Sequence, residues 1–102
     1  MHMLEIPRPY LIFIGDNPEP LDVKTGVGIL EWRPDWCMGQ YRFEGGCDLG
    51  LRDFDPHAAA AAGAATMVVG GASFGGKLPP NWEAAIAEAI VAGLNVASGL
   101  HV

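Results

Sequence analysis

Cysteine, histidine and positive charge are all scarce in this chain of 102 residues, which holds two cysteines, three histidines and six lysines and arginines. Cys37 and Cys47 have no second Cys or His pair at zinc-binding spacing, and two cysteines in this composition make no disulfide framework, so both read as reduced structural thiols. His57 and His101 lie far apart in sequence, which leaves no sequence support for a metal site. Six basic residues against twelve acidic ones give a net charge of −6. That charge repels nucleic-acid phosphates and anionic lipid, so DNA, RNA and membrane surfaces are excluded as partners. No apolar run approaches the roughly 20 residues of a membrane-spanning helix, and the opening MHMLEIPRPY lacks the basic-then-apolar layout of a secretory signal. A cytoplasmic location is expected. The Met1-His2 pair ahead of Met3 reads as an expression-vector remnant, with the natural start expected at Met3.

Half of the residues are apolar, enough for one core in one domain. The run YLIFI at 10–14, stopped by Gly15-Asp16, is the pattern of a strand buried on both faces. Residues 24–33 form a helix capped by Thr25 or a neighbour and ended before Pro34, and residues 36–43 are rich in strand formers. Asp55-Pro56 opens an alanine-rich helix that Gly63 closes. TMVV at 66–69 is a third strand. Trp82, Ile86, Ala89, Ile90 and Leu94 then recur at helical spacing behind Pro79-Pro80, and NVAS at 95–98 is a fourth strand. The alternation β-α-β-α-β-α-β predicts an α/β fold, a three-layer Rossmann-like half-domain with a parallel sheet in the order 2-1-3-4, with room for a short extra edge strand near 47–51. In such sheets ligands bind at the carboxyl edge beside the switch point, where Asp16, Thr25, the 70–76 loop, Ser98 and Gly99 map.

Two glycine-rich stretches invite a phosphate-binding reading. GGASFGGKLPP at 70–80 matches G-x-x-x-x-G-K from Gly71 but continues with Leu78, which has no oxygen for magnesium, and with two prolines that remove backbone donors. It fails as a phosphate loop and survives either as a connection through which a substrate approaches backbone amides or as a flexible turn with nothing bound. Lys24-Thr25-Gly26-Val27-Gly28 matches only the first two glycines of a dinucleotide fingerprint, since Glu31 occupies the third. Thr25 and Lys24 can still hold a phosphate or carboxylate, or serve as an ordinary helix start. Trp32, Trp36 and Trp82 read as core and interface anchors rather than a stacking platform. Asp16, the acid directly after a central strand, is the candidate catalytic carboxylate, with a ligand contact and a solvated loop cap as the other readings. Gly71-Ala72-Ser73-Phe74-Gly75 has the G-x-S-x-G spacing, but Ser73, Ser98 and His101, the last being next to the end of the chain, are not read as a nucleophile and base.

The stretch PYLIFIGDNPEPLDVKTGVGILEWRPDWCMGQYR, then CDLGL, the alanine-rich helix, GGKLPPNW and VASGLH resemble, in order and spacing, the amino-terminal domain of the D-glutamate N-acetyltransferase family. The resemblance covers nearly the whole chain. It implies a Rossmann-like amino-terminal domain followed by a larger P-loop-like domain, the pair moving acetyl from acetyl-CoA, a co-substrate and not a tightly bound cofactor, to the amino group of D-glutamate. By this resemblance the matching positions of interest are Asp16, Lys24, Thr25, Gly26, Arg33, Gly75, Gly76, Ser98 and Gly99. Lys24 and Arg33 would meet one substrate carboxylate while Asp16 orients the ammonium. This chain ends after VASGLHV, so it is expected to be inactive alone. The expected partners are a small-molecule substrate and either a missing carboxyl-terminal domain or a second copy, because one face of strands three and four, with Met67, Val68, Val69, Val96 and Ala97, would stay bare. A non-catalytic nucleotide- or CoA-binding module and an assembly domain remain as alternatives.

Overall fold

The computed structural model describes residues 6–71 and 78–98. Four parallel strands, β1 (Tyr10–Gly15), β2 (Cys37–Arg42), β3 (Thr66–Val69) and β4 (Asn95–Ser98), form one sheet in the order β2-β1-β3-β4. Helix α1 (Lys24–Trp32) covers one face, while α2 (Pro56–Ala61) and α3 (Pro80–Val91) cover the other. The fold is therefore the expected α/β, Rossmann-like arrangement. β1 is buried along its whole length, as its unbroken apolar run requires. Tyr10, Ile12 and Ile14 face α1, and Leu11 and Phe13 face α2 and α3.

Three details differ from the sequence expectation. Helix α1 begins at Lys24 behind a 3-10 turn, Pro20–Val23, so its cap position is Val23, which makes no side-chain cap bond, and Thr25 lies inside the first turn. Residues 47–51 form no strand. Instead Cys47, Leu49 and Leu51 pack on the α1 side of the core, and the chain then touches the β2 edge at one parallel bridge, Gln40 to Asp53. Gly50, at φ +84°, turns the backbone out of the extended form. The third difference is the sheet face over β3 and β4, which is not bare: Val68 is 0% exposed and Ala97 7%. The physical reason is where α1 lies. Helix α1 packs over β1 and β3, with Gly26 N donating to Gly70 O at 3.1 Å, and Cys47, Leu49 and Leu51 fill the same side of the core.

A bulge in β2 decides which way its later side chains point. Tyr10 pairs with Cys37 but Leu11 pairs with Gly39, so Met38 is the extra residue. Cys37 thus faces α1 whereas Tyr41, four residues on, faces Phe13 and the α2/α3 side. Without the bulge Tyr41 would point to the opposite face.

Candidate functional site

The carboxyl edge is built around the end of β1. Gly15 takes φ +64°, a conformation that glycine adopts freely, and a Cβ there would strike the Trp82 ring. This lets Trp82, 1% exposed at the start of α3, pack edge-on against Phe13 at 4.9 Å between centroids and donate Nε1–H to Asp16 Oδ1 at 3.1 Å. Asp16 itself is exposed, and among the described residues it makes no other side-chain hydrogen bond. The backbone holds the next layer in place: Phe43 N donates to Gly15 O at 2.9 Å and Cys47 N to Asn17 O at 2.8 Å. These bonds fasten the turn after β2 against the turn after β1.

Beside that seam opens a cavity of about 530 Å³, lined by Tyr41, Arg42, Phe43, the Glu44-Gly45-Gly46 turn and residues 53–55. Arg42 is pinned within it, donating from Nε to Asp53 Oδ1 at 2.8 Å, from one terminal nitrogen to Asp53 Oδ2 at 3.2 Å and from the other to Gly46 O at 3.2 Å. The Arg42 bond, and secondarily one from Gln40, hold the Asp53 carboxyl below its usual range. Asp48 is also lowered, first by Gln40 and then by the Gly50 amide. Burial pushes the Tyr41 hydroxyl up, with Glu88 and Asp55 adding to it. Sequence reasoning passed over this cavity. Its signal was Tyr-x-Phe at the end of a strand followed by Glu-Gly-Gly, but the bulge that aims Tyr41 and Phe43 to one side is not visible in residue types.

Of the residues singled out from the sequence, Asp16, Lys24, Thr25, Gly26 and Ser98 all stand at the carboxyl edge, Ser98 two strands from β1 through its pairing with Val69. Arg33 does not join them. It follows the last residue of α1, at the opposite edge, where its guanidinium lies 5.1 Å from the Trp32 ring and 5.4 Å from that of Trp36, with Arg8 4.2 Å over Trp36. Helix α1 separates Lys24 from Arg33, so the two cannot hold one small carboxylate together. Gly75, Gly76 and Gly99, with the rest of the 72–77 loop, lie outside the described residues.

The amino end of α1 is not an open anion cradle. Gly26 N is already bonded to Gly70 O, and a Cβ at Gly71 would run into Asp22 O. Among the described residues the crevice between β1 and β3 is thus closed by backbone against backbone. No group of three or more His, Cys, Asp or Glu side chains able to hold a metal occurs among the described residues. No helix among them is long and apolar enough to cross a membrane.

Residues 42–102 match the model of a family described as a domain of unknown function (DUF1611_N), a Rossmann-like domain. The chain belongs to this family. Two relatives extend the match to almost the whole chain. A protein of Tritonibacter scottomollicae named D-glutamate N-acetyltransferase is 44% identical over 97 residues, which is 94% of this chain and 29% of that protein. One of the same name from Pseudoalteromonas sp is 40% identical over 100 residues, 96% of this chain and 30% of that protein. This member of the family thus spans less than a third of the length of the relatives it matches.

Proposed function

We propose that this chain is the amino-terminal domain of a D-glutamate N-acetyltransferase and that the acetyl-transfer site is completed by a carboxyl-terminal domain. The observation that carries this reading is the match of nearly the whole chain, at 40–44% identity, to two proteins of that name. In the reaction the ammonium first loses a proton, the amine nitrogen attacks the thioester carbonyl carbon, a C–N bond forms, the C–S bond breaks, and the leaving CoA thiolate takes up the second proton that the nitrogen gives up. In this reading Asp16 orients the ammonium and accepts its first proton, which the bond from Trp82 that fixes one of its oxygens supports. Lys24, exposed at the start of α1, meets a substrate carboxylate.

The amino end of α1 offers the phosphates of acetyl-CoA little hold: the first-turn amide of Gly26 is taken by Gly70 and Val23 offers no cap oxygen. Holding the acetyl donor therefore falls to the rest of a chain of the relatives' length. The reading carries a cytoplasmic location with it. Contact with the remaining domain, or with a second copy, is assigned to the outer side of α3, where Ile90 is 60% and Val91 80% exposed. Amide shifts during titration with D-glutamate test the binding half of this reading. They should cluster at Asp16, Lys24 and Thr25, and shifts gathered instead around Arg8, Arg33 and Trp36 would overturn it.

A further inference from the structure

The cavity beside β2 combines aromatic walls with an excess of negative charge. Tyr41 and Phe43 meet at 5.5 Å between centroids with their planes at 82°, and Phe54 closes another side. Arg42 is the one cation among the lining residues, and its charge is spent on Asp53 in a two-point pair and on the Gly46 carbonyl. Glu44 and Asp55 are left. Asp55 keeps one oxygen on the Ala58 amide at 2.7 Å as the cap of α2, and both carboxylates are on exposed residues at the rim.

Outside the lining, Glu88 adds negative potential at Tyr41, with His57 Nε2 3.8 Å from its Oε2, and Arg52 lies 5.0 Å from the Phe54 ring. An anion entering the cavity would face these carboxylates and find Arg42 already bonded. A hard metal ion would need a cluster of oxygen ligands, and none is present among the described residues. Aromatic faces rimmed by carboxylates suit a soft, bulky positive charge.

We propose that this cavity binds the ammonium end of an organic cation, an activity that goes beyond the acetyl-transfer reading and does not depend on it. The ring faces of Tyr41 and Phe43 take the methyl or methylene groups next to the nitrogen, and Glu44 and Asp55 balance its charge.

The test is a set of ¹H–¹⁵N spectra of the chain titrated with tetramethylammonium chloride, with sodium glutarate and with sodium chloride at matched ionic strength. Tetramethylammonium should shift the amides of Tyr41 to Gly46 and of Phe54 and Asp55 along saturable curves, and the two sodium salts should not. The double variant Glu44→Gln, Asp55→Asn should bind at least about five-fold more weakly, since rim carboxylates supply the charge balance. Glu44→Gln alone, on an exposed turn, should show a smaller loss with the fold intact, which keeps the test decisive if the Asp55 change loosens α2. Shifts from tetramethylammonium no larger than those from sodium chloride, stronger shifts from glutarate, or undiminished affinity in the variants would each overturn the proposal.

Discussion

Gly26 and Gly28 stand two residues apart in α1 and should respond to alanine in opposite ways. A Cβ at Gly26 would sit 2.8 Å from Ile12 Cγ2 and 3.4 Å from Gly70 Cα, inside the packed core, whereas one at Gly28 meets nothing within 4 Å. Gly26→Ala should therefore cost about 1–3 kcal/mol through overpacking, and Gly28→Ala should gain about 0.5–1 kcal/mol from helix propensity. Urea unfolding of both variants checks this, and equal effects would contradict the close approach of α1 to β3. The sequence showed two similar glycines; which of them faces the sheet depends on how the helix is seated against Ile12 and Gly70. Asp16 was legible because it directly follows an apolar strand. Its fastening by Trp82 was not, because the two are far apart in sequence and meet only through the turn at Gly15. The cysteines bear on the same scale. Burial raises the Cys37 thiol to about 11, with Asp35 adding to it, and burial also raises Cys47. At pH 8 both should react slowly with a thiol reagent in the native protein and quickly in denaturant. Fast native labelling of Cys37 would contradict its burial.

At the scale of elements, β1, β3, β4 and α3 were readable from apolar runs, proline starts and glycine stops. The edge beyond β2 was not. CDLGL alternates as a strand does, yet its apolar residues serve the α1 side of the core, and the edge is closed at one bridge by Gln40. Gln40, fully buried, donates to Asp48 Oδ1 at 2.9 Å and Asp53 Oδ1 at 3.0 Å and accepts from Leu49 N at 2.9 Å. Gln40→Ala removes these bonds and opens a cavity, so it should cost about 2–4 kcal/mol in urea unfolding. A loss below about 0.5 kcal/mol would mean the edge is held otherwise. The same cluster sets an acid limb. Asp48 and Asp53 have folded-state values lowered from 3.8. Their contribution is present above the unfolded value and is lost as the pH falls through the lowered folded values. Thermal midpoints should fall as the pH is taken below about 4, and less steeply in Asp53→Asn. An unchanged acid limb in that variant would contradict the role of the Arg42–Asp53 pair.

At the scale of the whole molecule, the sheet's central residues are buried, and the large apolar side chains exposed among the described residues are Leu21, Trp32, Leu78, Ile90 and Val91. Association, if it uses α3, should weaken in Ile90→Glu, Val91→Lys without loss of thermal stability, and sedimentation of both proteins across a concentration series reads this directly. A wild-type chain that stays monomeric at high concentration would contradict association through that surface. Part of the family's character was legible in sequence because β1, its following turn and the helix starts carry local signals. The site was only partly so, because its cavity depends on a bulge and on a backbone-closed crevice. The most direct measurement is D-glutamate-dependent release of CoA thiol from acetyl-CoA by a chimera in which this chain replaces the matching 97 residues of the Tritonibacter scottomollicae protein. The chimera should turn over and lose most of that turnover in Asp16→Asn, while the chain alone releases no thiol. Turnover by the chain alone, or a folded chimera without activity, would contradict the account.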